Sequence, residues 1–345
     1  MTINKRDRNI LLLTFLVLLH VLIICPGFFA PYDYAEQNRD LPFAPPTRVH
    51  FVDGAGKFHW VPFVHSSRAG SDASDAYTED ATVSYRARML VNGTPYRVLG
   101  LWTAHLHLFG VEEPGKIFLF GTDDFGRDEF SRMLYGGRIS LLAGMLGAAI
   151  AILAGGTFGV LSGFFGGWLD AAVMRTAELF LTLPWLYLLF AVRAVLPLRI
   201  KTTDTFLLLV AIVGLVGWAR PARLVRGIVL SAKERNFVLA AKAMGASNFH
   251  LLRFHILPET YGVLLTTAAL LVPQFILAEV TLSFLGLGVG EPIPSWGNLL
   301  AELQKYSVLT SCWWMYLPAI ALVILFLACQ WASSVLQKGI GEVRA

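Results

Sequence analysis

Few residues in this chain stand where chemistry is possible, and the first to weigh are charges inside apolar runs: Glu178, Glu279 and His20. An ionised group far from water is costly unless it is paired or hydrated, so each is a candidate for a proton relay or a polar path. Glu178 lies three residues after Arg175, a spacing at which side chains meet on a helix, and an ion pair is the expectation. The run around Glu279 holds no Lys or Arg, and Glu279 with Ser283, one turn later, is a candidate for lining a pathway or a subunit interface. His20 reads as a hydrogen-bonded packing residue. Asp123, Asp124 and Asp128 lack the alternation of a calcium loop and read instead as acids at a helix start, with Arg132 and Arg138 further along. Gly56-Lys57-Phe58 and Gly115-Lys116-Ile117 have neither the Ser or Thr nor the preceding Gly of a phosphate loop. Cys25, Cys312 and Cys329 form no CxxC pair and read as packing residues, with a Cys25–Cys312 bridge left open. No nucleophile, metal set or paired acids converge, so a non-catalytic chain without cofactor or metal is the expectation.

A second kind of chemistry, motion passed to or from another chain, is suggested by 235–258. Val238 to Met244 are helix formers, Gly245 suits a left-handed stop, Ser247 can cap a second helix, and Pro258 can begin a membrane span. Ala240, Ala241 and Gly245 leave room for a partner surface to come close. By composition alone this is also what a plain helical connection between two spans looks like.

The elements that must hold these residues are set by composition. Of 345 residues 55% are hydrophobic and 15% charged, with mean hydropathy +0.59. That is too few charges for a solvated surface and places the chain in a membrane, with an all-α polytopic fold. Runs long enough to cross a bilayer lie at 10–30, 139–165, 171–198, 204–230, 260–287 and 313–336, which predicts six helices. Pro184 and Pro273 are expected to kink two of them. Lys5, Arg6 and Arg8 precede the first run, whose cleavage-site pattern is poor, so it reads as an uncleaved anchor. With both termini cytoplasmic, 31–138 lies outside. That segment carries 11 Lys and Arg against 14 Asp and Glu, a net −3, which leaves +7 elsewhere. The sign of this split fits a basic cytoplasmic face, and the formal +4 reports topology rather than an anionic or nucleic-acid partner. Arg220, Arg223 and Arg226 read as anchors at the inner interface.

The outer segment is divided into a small, β-containing insertion at 31–120 and an amphipathic lead-in helix at 121–138. Strand-like runs flank 53–56 and Asn92-Gly93, predicting two hairpins, and Asn92-Gly93-Thr94 has the form of a glycosylation sequon. A five-helix core at 139–336, containing a cytoplasmic loop at 231–259, and a tail at 337–345 complete the chain. Gly155, Gly159 and Gly163 share one helical face, where a second backbone is expected to approach closely.

Several segments in order carry a family resemblance. Ala240-Ala241, Gly245 and Leu257-Pro258 fall on the coupling-loop pattern of permease subunits of binding-protein-dependent ABC importers, with Leu239 and His255 departing from the usual Glu and Ile. Gly121-Thr122-Asp123-Asp124-Phe125-Gly126-Arg127-Asp128, Leu282 to Gly288 and Pro294-Ser295-Trp296-Gly297 are similar to signatures of its dipeptide and oligopeptide branch. The resemblance covers about 121–330 and leaves the insertion and the tail apart. It implies the type I ABC importer permease fold in a bacterial inner membrane and ATP hydrolysis supplied by partner subunits. The implied partners are a second, homologous permease, two ATP-binding subunits and an extracytoplasmic substrate-binding protein, besides membrane lipid. On this resemblance Leu239, Ala240, Ala241, Gly245, Ala246, Leu257 and Pro258 couple the chain to an ATPase, and peptides are the implied cargo. Nickel chelates, glutathione and oligosaccharides are cargoes of importers with the same motifs, and an ion-coupled secondary transporter is the rival from another class.

Overall fold

The computed structural model describes residues 25–344 apart from 55, 70–76, 99–100 and 196–201, with Thr14 and Val21 ahead of them. The expected first span, with His20, therefore lies largely outside the described residues; its end forms one helical turn, α1 (Pro26–Phe29). The chain divides into two compact units, Met1–Ser140 with Ser283–Ile324, and Leu141–Leu282 with Leu325–Ala345.

The first unit contains a four-stranded antiparallel sheet, β1 (His50–Val52), β2 (Phe58–Ala69), β3 (Tyr77–Val98) and β4 (Trp102–Val111), in sequence order. The β1–β2 hairpin is the first of the two expected. Its turn is closed by the Asp53 carboxylate, which accepts from the Lys57 N–H at 2.9 Å, while Gly56 takes a φ of +80° open only to glycine at little cost. The second expected hairpin is corrected. Strand β3 runs straight through Asn92-Gly93, and the chain reverses between Val98 and Trp102. Gly93 is needed for a different reason: the ladder slips register between Asn92 and Tyr96, and a Cβ at Gly93 would stand 2.8 Å from the His107 ring. That imidazole is buried, with its two nitrogens 2.6 Å from the Ala30 carbonyl and 2.9 Å from the Thr94 carbonyl. In either tautomer one ring N–H can donate to one of these two carbonyls, which gives the buried ring a polar partner.

The helices that follow are α2 (Glu129–Phe165), α3 (Gly167–Thr182), α4 (Trp185–Val195), α5 (Thr202–Gly217) and α6 (Ala219–Ala232). After them come α7 (Asn236–Ala243), α8 (Asn248–Leu251), a π-turn at Leu252–Ile256 and α9 (Leu257–Phe284). Last are α10 (Trp296–Ala301), α11 (Tyr306–Ser311) and α12 (Leu317–Arg344). Among the described residues four stretches are long and apolar enough to cross a membrane: Glu129–Phe165, Asp204–Ala232, Asn248–Phe284 and Trp313–Val335. A fifth exists if Gly167–Thr182 and Trp185–Ala191 count together.

That pair corrects the third expected span, which is not continuous but bent by 94° between α3 and α4. Pro184 is the cause. It has no N–H to continue the α3 ladder and holds the preceding Leu183 extended, at φ −77° and ψ 134°. Pro273 behaves otherwise, and α9 continues through it.

Within the second unit the glycine face of α2 meets α6. A Cβ on Gly155 would stand 2.5 Å from the Trp218 carbonyl oxygen, on Gly159 2.6 Å from that of Ala222, and on Gly163 2.9 Å from the Val229 side chain. The three glycines are thus set by backbone proximity, as their spacing predicts. Helix α3 is fastened to α6 by Asp170, whose carboxylate accepts from Arg226 Nη2 at 2.6 Å. Arg226 is therefore half of an ion pair.

Candidate functional site

The loop at 235–258 folds as a helix, a break and a helix. Helix α7 stops because Gly245 adopts φ +86°, and the Ala246 N–H reaches back to the Ala241 carbonyl at 3.1 Å. Ser247 then caps the next helix, its hydroxyl oxygen accepting from the His250 N–H at 3.3 Å. Pro258 sits one residue into α9, and the helical run is continuous from Asn248, so the span is entered at Ser247 rather than at Pro258.

One side of this loop is firmly seated. Val238, Ala241, Leu251 and Ile256 are buried with Val160 of α2 and Val225, Val229 and Ala232 of α6, and Phe164, Ala246, Leu252 and Leu257 pack around them. Arg235 closes the base with an ion pair to Glu259 at 3.1 Å. The other side is open and apolar: Phe237, Leu239, Met244 and Phe249 are exposed, Met244 by 83%. A helix that buries one face and leaves large apolar side chains on the other has the form of an interaction surface.

The seven expected coupling residues therefore separate. Leu239, Ala240, Gly245 and Pro258 are exposed, Ala246 and Leu257 are half-buried, and Ala241 is 8% exposed inside the second unit. Ala241 is small so that α7 can lie on its own scaffold, which corrects its reading as room for a partner. Met244, Phe237 and Phe249 were missed because pattern matching weighs small residues and caps; a count of large apolar side chains on the solvent side of α7 would have found them. Glu279 is wholly buried and Ser283 nearly so. Arg175 and Glu178 make the expected pair, at 3.2 Å and well exposed. Cys25, Cys312 and Cys329 are free thiols.

In the first unit, residues Gly121–Asp128 are not part of a lead-in helix. They form a looped turn, bridged from Thr122 to Asp128, and α2 begins at Glu129. The acids face inward. Asp123 accepts from the Phe125 and Arg127 N–H groups at 2.9 Å each and from Arg127 Nε at 2.6 Å, and Arg132 Nε stands 3.2 Å from its other face. Arg127 and Arg132 both reach Glu291, at 2.6 and 2.9 Å. Burial of Glu291 works to raise its pKa, but Arg132 and Arg127 outweigh it and hold the carboxyl below its usual range. Asp128 goes the other way. Burial pushes it from 3.8 to about 7, against the pull of the Ser131 hydroxyl and backbone N–H. The nearby motif segments also meet, since Trp296 Nε1 donates to the Met133 carbonyl at 2.9 Å and a Cβ on Gly137 would strike the Trp296 ring at 2.9 Å.

Residues 155–341 match the family model described as "Binding-protein-dependent transport system inner membrane component". The chain is 38% identical over 207 residues to the dipeptide transport system permease protein DppC of Bacillus subtilis, 60% of this chain and 62% of that protein. It is 40% identical over 210 residues to a putative peptide permease protein of Brucella suis, 61% and 68%. It is also 40% identical over 189 residues to the oligopeptide transport system permease protein OppC of Bacillus subtilis, 55% and 60%. The match thus spans about three fifths to two thirds of these relatives' own length.

Proposed function

Because the chain belongs to the family of binding-protein-dependent transport system inner membrane components, we propose that it is a permease subunit of an ATP-driven importer and forms half of a path for di- or oligopeptides. The observation that carries this reading is the two-sided loop, buried on its own scaffold through Val238 and Ala241 and exposed through Leu239 and Met244. A connection that merely joins two spans has no need of large apolar side chains turned away from its own scaffold. The names of the relatives support peptides as cargo.

In this reading the exposed rim of α7 docks in a cleft of an ATP-binding subunit, which supplies the hydrolysis, and the chain itself catalyses nothing. Closure of the ATPases pushes on α7. The push enters α6 through the Val225–Val229 packing, and α2 through the glycine contacts, rather than being lost in a soft loop. A second permease completes the path, with Glu279 and Ser283 on the pathway or subunit interface. A binding protein delivers cargo from outside. Six spans are counted with 10–30 as the first, both termini lie in the cytoplasm of a bacterial inner membrane, and the β-sheet insertion lies outside, where it caps the mouth of the path.

The test is reconstitution with the partner subunits in vesicles. Leu239→Asp and Met244→Asp should each reduce substrate-stimulated ATP hydrolysis and uptake about tenfold or more, since a charge placed in a buried apolar contact costs on the order of 1–3 kcal/mol at least. Both positions are exposed in the chain itself, so its folding and insertion stay intact. Normal uptake in both variants sinks the docking role. Uptake by the chain alone, driven by an ion gradient, sinks the importer reading.

A further inference from the structure

The bend between α3 and α4 encloses something. A cavity of about 500 Å³ lies in the second unit, walled by Phe180, Leu183, Trp185 and Phe275, with Arg220 and Gln274 as its long polar side chains. That volume is in the range that holds small organic ligands. Arg220 directly follows the apolar run of the Asp204–Ala232 span, and its side chain is exposed in the chain itself. Arg226, two turns on, is neutralised by Asp170, whereas Arg220 has neither an ion-pair nor a hydrogen-bond partner among the described residues. A guanidinium on a cavity wall with no paired carboxylate can take an anionic ligand. It is planar, permanently charged and shaped for bidentate contact with a carboxylate.

A cation, a polar amide and aromatic walls fit a short peptide end: its carboxylate on Arg220 and an apolar side chain against Trp185 or Phe275. We infer that Arg220 binds the terminal carboxylate of the transported peptide within this cavity. The inference rests on the peptide-importer reading and adds a specificity residue to it.

The test uses the assembled transporter in vesicles, with Gln274→Cys as a reporter on the cavity wall and its labelling by a small thiol reagent read by mass spectrometry. The probes are the dipeptide Ala-Phe and its C-terminal amide. Ala-Phe should slow labelling about tenfold at saturation while the amide slows it less than twofold, and Arg220→Gln should abolish the difference. Arg220→Lys should restore part of it, because charge remains without the planar fork. Equal protection by acid and amide, protection that survives Arg220→Gln, or no protection at all overturns the assignment. If labelling instead follows the fraction of anionic lipid and ignores peptide, the ligand of Arg220 is a lipid headgroup and the assignment also falls. ATP-driven uptake of Ala-Phe in the same vesicles, with the reporter position left as Gln274, tests the importer reading separately. Protection without uptake would remove that reading and leave the carboxylate site standing.

Discussion

The loop at 235–258 and the turn at 121–132 are equally dense in distinctive residues, and they solve opposite problems. In the turn, Asp123, Arg127, Arg132 and Glu291 direct their charges at one another, with Asp123 and both guanidinium groups buried and Glu291 half exposed. In the loop the charges are few, the core is modest, and Met244 and Phe249 face outward with nothing of their own chain to cover them. Density of motif residues therefore carries no single meaning. A closed ion network fixes one arrangement of its own segment, and an open apolar rim is complete only with a second surface.

This contrast can be broken by mutation. The largest effect is expected in the turn. Arg132→Ala removes a guanidinium that is 2% exposed from beside Asp123 and Glu291. Arg127 still faces both carboxylates, so the loss falls at the low end of the about 3–5 kcal/mol typical of breaking a buried pair. The purified protein should melt at a clearly lower temperature, and wild-type stability in this variant would mean that the network is ornamental. A smaller effect is expected at Gly245→Ala. Open space surrounds the position, so the cost is only that of holding alanine at φ +86°, about 1–2 kcal/mol. Since that strain falls on the junction of α7 and α8, coupling of ATP hydrolysis to uptake should suffer more than melting temperature does. Equal melting and unchanged coupling would show that the left-handed stop does not set the pose of the rim.

A third effect sharpens the comparison by pH. The folded-state pKa of Asp128 is about 7, above the ordinary 3.8, so the folded chain holds a proton there that the unfolded chain releases. Its contribution to stability is present in full below about 4 and is lost as pH rises through about 7. Glu291, held below its usual range, has the opposite sign and loses its contribution as pH falls through its folded value. Melting curves between pH 5 and 8 should show the Asp128 slope, and Asp128→Asn should flatten it. An unchanged slope in that variant would assign the titration to another group.

Much of the fold was legible in the apolar runs, since a helix in lipid must satisfy its own backbone and little else. The stop at Gly245, the cap at Ser247 and the glycine face at 155, 159 and 163 were legible because each follows from one residue's local chemistry. What was not legible depended on distance in sequence. Asp123 and Glu291 are 168 residues apart, so nothing local distinguishes acids that cap a helix from acids that neutralise a buried arginine. Gly93 after Asn92 has the look of a turn, but the His107 ring across the ladder is the reason for it. Ala241 reads as a place for a partner until its own scaffold is seen to fill that space. In the same way Pro184 signalled a kink without its size, because neither the 94° angle nor the cavity beside it is written in a dipeptide.

The unbroken helical run from Asn248 to Phe284 has 37 residues. At 1.5 Å per residue it is about 55 Å long, nearly twice the thickness of the hydrocarbon layer. It begins at the residue after the Ser247 cap and carries Glu279 and Ser283 near its far end. Such a rod is a lever with a mechanical advantage. A tilt of about 5° at the loop would carry the far end through about 5 Å, more than a water molecule's width. Its hydrogen-bond ladder is altered at two places, the π-turn at Leu252–Ile256, four residues from the loop end, and Pro273 further along. On the importer reading proposed above, a hinge at the π-turn would leave almost the whole arm to deliver the stroke.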